Sequence, residues 1–189
     1  MNIKEIEQKL KFILDEKRMI HSLNVANSAL ELAKYYGIDL QKIEVAALLH
    51  DCAKNFSKDE LITLAGNYKI EIDEVQRNSP FLLHGPVGAY FAKYEFGIYD
   101  DDIFNSIYFH TTGRKNMSLF EKIIYIADMI SIDRSYPEVD LIRELVKVDL
   151  DKALIEATNS TLKYVIQRNL LIHPLTIDFR NWLLMKGGK

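Results

Sequence analysis

Helical periodicity is the feature that most constrains how this 189-residue chain can fold. Apolar residues recur at intervals of three and four, as in Val25, Ala29, Leu32 and Ala33, and no segment alternates apolar and polar residues with a period of two. This spacing places apolar side chains on one face of a helix, and that face must be buried against other helices. The sequence therefore predicts an all-α helical bundle.

Capping and stop signals divide the chain into ten predicted helices. The S-x-x-E spacing of a capping box occurs at Ser57 and again at Ser118, and Gly37 follows an apolar stretch where a helix should end. The predicted helices span residues 2–17, 19–36, 40–54, 58–67, 82–95, 101–110, 119–131, 140–147, 150–170 and 176–186.

The chain is organised as a single predicted domain. No linker rich in Pro, Gly or Ser and no internal repeat divides it. Its length suffices for one hydrophobic core without disulfide bonds. We assign residues 1–189 to one domain, in which residues of about 10–135 carry the motifs described below and helices within 140–186 complete the core.

Composition restricts the cellular location and the partners. The single cysteine, Cys52, cannot form an internal disulfide, which suits a reducing compartment. The first twenty residues carry charges every few positions, and no stretch approaches the ~20 apolar residues of a membrane span. A net charge of -3, with dispersed Lys and Arg, offers no basic surface to a nucleic acid. We expect a cytoplasmic protein that binds neither membrane nor nucleic acid.

Polar residues occupy positions where these helices should bury apolar side chains. In the stretch LLHDCAK at 48–54, His50 and Asp51 end an apolar run that begins at Val45. Helical spacing gives the same inward placement to other polar residues. These are His21, His84, His110 and Asp128.

The inward-facing residues predict a metal site. A buried carboxylate is costly unless it is protonated, paired or bound to a cation, and few Arg or Lys share these inward faces. Imidazole and carboxylate together are typical ligands of Fe, Mn, Co or Zn. His21, His50, Asp51 and Asp128 would suffice for one ion with open positions, so His84 and His110 indicate a second ion. We predict that Asp51 bridges the two ions, because a carboxylate can bind one ion with each oxygen. The predicted ligands are His21, His50, Asp51, His84, His110 and Asp128.

Each of these residues has a structural alternative. A lone His on an apolar face is more often a hydrogen-bonded core residue than a ligand, and Asp128 alone could be a cap or the partner of an Arg. His173 precedes a proline and has no acidic companion in the sequence, so we assign it a structural role. The joint burial of four His and two Asp is what favours a metal site.

Five motifs resemble those of the HD-domain metal-dependent phosphohydrolases. They are RMIHSLNVA (18–26), ALLHDCAK (47–54), LLHGPVGA (82–89), HTTGR (110–114) and IADMI (126–130). In this order they are similar to the YqeK-type family of symmetrical bis(5'-nucleosyl)-tetraphosphate hydrolases. The resemblance implies an all-α HD-domain bundle, a centre of two ions with iron first among Fe, Co, Mn and Zn, and cleavage of diadenosine tetraphosphate into two ADP by metal-activated water.

A polyphosphate substrate would need local positive charge. Lys54 follows His50 by four residues, Arg18 precedes His21 by three, and Arg134 follows the last motif. Thr111 and Thr112 offer hydroxyls beside the His110 helix. We assign Asp51, Lys54 and Arg18 to catalysis, and Lys54, Arg18, Thr111, Thr112 and Arg134 to substrate binding. The alternatives are solvated surface charge for the cations and an ordinary helix-ending loop for the threonines.

Two further functions stay open on the sequence. One is an HD-domain phosphatase of another nucleotide, such as a nucleoside monophosphate or a guanosine alarmone. The other is a non-catalytic nucleotide-binding helical module in which the metals only stabilise the fold, although a purely structural site would not need open positions. The helix predicted at 150–170 and the segment containing Trp182 complete the core or, alternatively, form the surface of a homodimer.

Overall fold

The computed structural model describes residues 2–187, so Met1, Gly188 and Lys189 of the predicted domain lie outside the described residues. Within 2–187 the chain forms eleven α-helices and one short 3₁₀ helix, without any strand, and the all-α prediction is confirmed. The helices are α1 (Ile3–Leu10), α2 (Glu16–Tyr36), α3 (Leu40–Leu49), α4 (Lys58–Asn67), α5 (Glu74–Asn78), the 3₁₀ helix (Pro80–Leu83), α6 (His84–Glu95), α7 (Asp101–Phe109), α8 (Leu119–Ile130), α9 (Val139–Leu145), α10 (Leu150–Gln167) and α11 (Pro174–Gly187).

The two predicted capping boxes and the predicted helix stop at Gly37 are present in the structure. Ser57 and Ser118 both form complete capping boxes, and Gly37 ends α2 in the left-handed conformation with φ of 70°. A side-chain oxygen at each box satisfies an amide that the first helical turn would otherwise leave unpaired.

The prediction of a helix over 2–17 is wrong. Helix α1 ends at Leu10 and residues 11–14 form a turn. Asp15 then caps α2, because its carboxylate accepts a hydrogen bond from the backbone N–H of Arg18 at 2.7 Å. Since the cap fixes the start of α2 at Glu16, this helix begins three residues earlier than the predicted 19.

Two further corrections concern residues 40–54 and 74–78. Helix α3 ends at Leu49, and residues 50–55 continue as successive turns. Helix α5 was missed because it has only five residues, too few for a periodic pattern, although Asp73 and Gln76 form a capping box at its start.

The site is carried by five helices that pack against one another. Helix α2 packs on α3 and α8, and α7 packs on α3, α6 and α8. The main hydrophobic core lies among these helices and also takes in Leu154 of α10 and Phe179 of α11. A smaller apolar cluster forms beneath α4 around Leu61 and Val87. The ends of α3, α6 and α7 are thereby brought together in the interior.

Close backbone contact between α6 and α7 depends on glycine. A Cβ at Gly85 would lie 2.8 Å from the carbonyl oxygen of Tyr108, so a larger residue would push the two helices apart. This approach brings the start of α6, at His84, next to the end of α7, at His110.

Among the described helices, none has the length together with the hydropathy needed to cross a membrane.

Candidate metal centre

The six predicted ligands converge on one site in the interior of the helical bundle. His21 comes from the second turn of α2, and His50 and Asp51 come from the turn after α3. The others come from the start of α6, the end of α7, and α8. Five of the six are at most 5% exposed, and the Asp128 side chain is 15% exposed. The predicted placement of all six side chains in the interior is therefore correct, although His50 and Asp51 reach it from a turn and not from a helix face.

The carboxylate of Asp51 lies between two groups of imidazoles. Its Oδ1 is 3.3 Å from Nε2 of both His84 and His110, while its Oδ2 is 3.6 Å from Nε2 of His50 and 4.0 Å from that of His21. Each oxygen therefore faces a different pair of nitrogens. A carboxylate in this position can bind a cation with each of its oxygens.

Three of the histidines are oriented by their own backbone. His50, His84 and His110 each place Nδ1 within 2.5–2.8 Å of the carbonyl oxygen three residues earlier. A carbonyl only accepts, so Nδ1 carries the proton and Nε2 presents a lone pair towards Asp51. This tautomer is the one that a metal-binding imidazole requires.

His21 is oriented differently, by a residue that the sequence did not reveal. Its Nδ1 lies 2.7 Å from Oδ2 of Asp133, while its Nε2 lies 3.0 Å from Oδ1 of Asp128. Asn24 also donates a hydrogen bond to Asp133 at 3.3 Å. Asp133 is 112 residues away from His21 in the chain, so helical spacing carries no signal for this contact.

The residues present fit a metal ion. Nε2 of His50 and Oδ1 of Asp51 are buried and make no hydrogen bond to any described residue. Unsatisfied buried polar atoms are costly unless another partner, such as a cation, is bound. Among residues 2–187, two groups of ligand atoms lie close enough to hold an ion, namely His21–His50–Asp51 and Asp51–His84–His110. Their nitrogen and oxygen donors are those that transition metals prefer.

Burial sets the protonation states that ligation needs. It lowers the pKa of both His50 and His84 to about 4, so both imidazoles are neutral at pH 7. Burial alone would raise the pKa of Asp51, but nearby positive charge, including that of Lys54, keeps it well below 3.8. For Asp128 burial is likewise outweighed, here by the charge of Arg134. Both carboxyl groups are therefore ionised.

Both carboxylates also have an arginine partner, which corrects the expectation that such partners are scarce. Nη1 of Arg18 is 2.6 Å from Oδ2 of Asp51. The guanidinium of Arg134 forms an ion pair with Asp128 and donates from Nε to the Asp128 carbonyl oxygen at 2.9 Å. Both guanidinium groups are partly exposed, so they connect the buried carboxylates with the surface.

Lys54 reaches the site, although the helix predicted to carry it does not continue that far. Its Nζ lies 3.0 Å from Nε2 of His84 and 3.7 Å from Oδ1 of Asp51. The turns at 50–55, rather than another turn of α3, bring the side chain back beside Asp51.

The two predicted threonines differ in their placement. Oγ1 of Thr111 lies 3.0 Å from Nε2 of His84 and 3.1 Å from Nε2 of His110, which places it at the metal site. The hydroxyl of Thr112 is buried and donates to the carbonyl oxygen of Gly113. Only the Thr111 hydroxyl is therefore directed at the ligands.

His173 has an acidic companion after all. Its Nε2 lies 2.7 Å from Oδ2 of Asp73, the residue that caps α5. The expectation that it lacks such a partner was wrong because Asp73 is distant in the sequence. His173 belongs to neither of the two groups that could hold an ion.

The fold and this site define the class of the protein, and comparison with known proteins agrees. Residues 18–133 match the model of the HD domain, so the chain belongs to the HD domain family. It is 40% identical to the symmetrical bis(5'-nucleosyl)-tetraphosphatase of Bacillus subtilis (strain 168), over 97% of this chain and 98% of that protein. The counterpart with the same name in Staphylococcus aureus (strain NCTC 8325 / PS 47) is 38% identical over 96% and 94%.

A solved structure shows the same fold. The crystal structure of a predicted HD superfamily hydrolase involved in NAD metabolism from Clostridium acetobutylicum superimposes with a TM-score of 0.95. The two sequences are 41% identical, and the match covers 98% of each chain. The resemblance inferred from the five motifs is therefore confirmed.

Proposed function

We propose that this protein is a metal-dependent hydrolase that cleaves diadenosine tetraphosphate symmetrically into two ADP. The observation that carries the proposal is the carboxylate of Asp51 between two pairs of imidazole nitrogens, with cationic side chains beside it. The substrate is supported by the full-length relatives, whose names specify a symmetrical bis(5'-nucleosyl)-tetraphosphatase.

The proposed centre holds two transition-metal ions, with iron the first choice and Co, Mn or Zn as alternatives. Its support is the division of the ligand atoms into two groups that share Asp51. Asp128, which lies beside His21, would complete the first group. When bound, two such ions acidify a water molecule and neutralise charge on the phosphate under attack.

The chain's own residues would bind and orient the polyphosphate. Arg18, Lys54 and Arg134 are each about one quarter to two fifths exposed, so their cationic groups can meet a ligand that enters from solvent. A guanidinium donates two parallel hydrogen bonds to a phosphate, and an ammonium acts as a compact charge. These three residues would hold the phosphates on either side of the scissile bond, and Thr111 would offer a hydroxyl.

A cavity beside Arg134 provides room for one nucleoside. Its volume is about 510 Å³, within the usual range for small-molecule sites. Met129, Tyr136 and the half-exposed Tyr164 supply apolar and aromatic surface, and Thr161 supplies a hydroxyl. Since Arg134 also contacts Asp128, a base in this cavity would lie next to the metal ligands.

Product analysis tests the proposal. The protein loaded with Fe or Co is incubated with diadenosine tetraphosphate, and the products are separated by ion-exchange chromatography. We expect ADP as the sole product. AMP together with ATP would contradict symmetrical cleavage, and no turnover would contradict the substrate and direct the search to other nucleotides. Parallel loading with Fe, Co, Mn and Zn, compared by kcat, tests the choice of metal.

A further inference from the structure

Residues 131–134, here called the orienting loop, contact two predicted metal ligands from outside the ligand set. The loop follows α8 directly. From it, Asp133 meets Nδ1 of His21 at 2.7 Å, and Arg134 pairs with Asp128. One short segment thus contacts the ligands contributed by both α2 and α8.

His21 is the histidine that most needs such support. The other three predicted ligands of this type are fixed by carbonyl groups of their own preceding turn. His21 lies within a continuous helix, where the carbonyl groups are already used by the backbone. The hydrogen bond from its Nδ1 goes instead to Asp133, so the direction of its Nε2 depends on where the loop lies.

The loop is in turn held by Arg143 of α9. Its guanidinium donates to three carbonyl oxygens around the loop: those of Ile130 at 3.1 Å, Ser131 at 2.9 Å and Arg134 at 3.2 Å. The remaining Nη1 pairs with Asp140 on the same helix at 2.9 Å. A planar guanidinium that bridges three carbonyls fixes backbone conformation in a way that a flexible ammonium cannot.

We propose that Asp133 and Arg143 are positioning residues of the metal centre. Arg143 fixes the backbone of the orienting loop, and Asp133 on that loop aims His21 at the ion. The inference rests on the metal centre of the proposed function. Removing a carboxylate behind a ligating histidine costs about 10- to 100-fold in metal affinity, which sets the expected effect.

Metal affinity without nucleotide is the decisive measurement. Metal-free wild type, Asp133→Ala, Asp133→Asn and Arg143→Met are titrated with Co²⁺ in the calorimeter, with circular dichroism as the check of folding. Asp59→Asn is the matched control, since Asp59 is exposed in the first turn of α4. We expect about 10- to 100-fold weaker binding for Asp133→Ala and Arg143→Met, a smaller loss for Asp133→Asn, which keeps an acceptor, and no change for the control.

A double variant and a spectroscopic readout separate positioning from general destabilisation. Both residues act through one loop. The double variant Asp133→Ala with Arg143→Met should therefore bind Co²⁺ only slightly less tightly than whichever single variant has the lower Co²⁺ affinity. In the ¹⁵N-labelled, Zn-loaded protein, the hydrogen-bonded Nδ1–H signal of His21 should be lost in Asp133→Ala. If Arg143→Met does not fold, Arg143→Lys replaces it in the same titration.

The outcomes separate this proposal from the proposed function. Wild-type Co²⁺ affinity in folded Asp133→Ala, or fully additive losses in the double variant, would overturn the positioning role and leave the metal centre intact. A wild-type protein that binds no Co²⁺ would overturn the metal centre itself, and with it both proposals.

Discussion

Acidification should unfold the metal-free protein through two of its buried histidines. An unfolded chain protonates imidazole near pH 6.5, whereas burial lowers the pKa of His50 and His84 to about 4. Between these values the unfolded state binds more protons than the folded state, so the free energy of unfolding falls as the pH falls. The stability is fully present above pH 6.5 and is lost progressively down to about pH 4.

The magnitude follows from the pKa difference. A lowering of about 2.5 corresponds to about 3 kcal/mol for each histidine, at 1.36 kcal/mol for each pH unit. Asp51 and Asp128 add to the loss at still lower pH, because their pKa values are depressed. His21 acts in the opposite direction: burial lowers its pKa, but Asp128 raises it overall, so its contribution declines as the pH rises. The loss from two histidines is comparable with the whole stability of a typical domain.

Urea unfolding of the metal-free protein at several values between pH 7.5 and pH 4.5, followed by circular dichroism, measures this dependence. We expect the free energy of unfolding to fall by several kcal/mol, and His84→Gln to reduce the slope by about half. A free energy that is constant over this range would refute the assignment of both imidazoles as buried and neutral.

Three substitutions test individual parts of the site. Asp51→Ala should abolish metal loading and turnover while circular dichroism shows intact helices, and retained activity would remove Asp51 from the mechanism. Lys54→Ala should lower kcat/KM about 10- to 100-fold, as expected for a lost charged hydrogen bond. Metal content, measured by plasma mass spectrometry, should not change. A loss of metal would mean that Lys54 supports the metal ligands instead of the substrate. Gly85→Ala should lower the free energy of unfolding in urea by about 1–3 kcal/mol and weaken Co²⁺ binding, because its Cβ would meet the Tyr108 carbonyl. An unchanged free energy of unfolding and Co²⁺ affinity would show that α6 and α7 can move apart without loss of stability or metal binding.

The sequence predicted well which polar side chains lie in the interior, because helical spacing decides which side chains face inward. His21 and Asp128 lie in the interiors of α2 and α8, where a residue one turn from an apolar neighbour shares its face. His110, at the end of α7, follows the same rule. The packing of the helices did not have to be known for this step, because a polar residue that shares a face with buried apolar residues lies in the core with them.

Contacts made by loops could not be predicted in this way. The loop position of Asp133 obeys no period, and its contact with His21 arises only after α2 and α8 have packed. The end of α3 was also missed, because the apolar pattern continues beyond Leu49. There Nδ1 of His50 lies 2.7 Å from the carbonyl oxygen of Ala47, which residue 51 would use in a continuing helix. The turn that follows directs Asp51 to the centre of the ligand set.

The charge balance of the site leads to a last prediction. Among the described residues, three cationic side chains pair with the carboxylates of the site, and the site has three carboxylates. They are Arg18, Lys54, Arg134, Asp51, Asp128 and Asp133. Their formal sum is zero, in a chain of net charge -3. The protein alone thus offers little net attraction to a tetraphosphate, and the positive charge must be supplied by the metal ions.

Binding of a non-hydrolysable dinucleoside tetraphosphate analogue should therefore depend strongly on metal. We expect calorimetry to show at least tenfold tighter binding to the Co-loaded protein than to the metal-free protein, and a weaker preference at high salt, because screening reduces the charge difference. Arg18 and Arg134 are paired with carboxylates, so they can turn to phosphate only when those carboxylates have another cation. Equal affinity of the Co-loaded and metal-free proteins for the analogue would show that the arginines bind phosphate without metal. The ion pairs with Asp51 and Asp128 would then not prevent the arginines from binding phosphate.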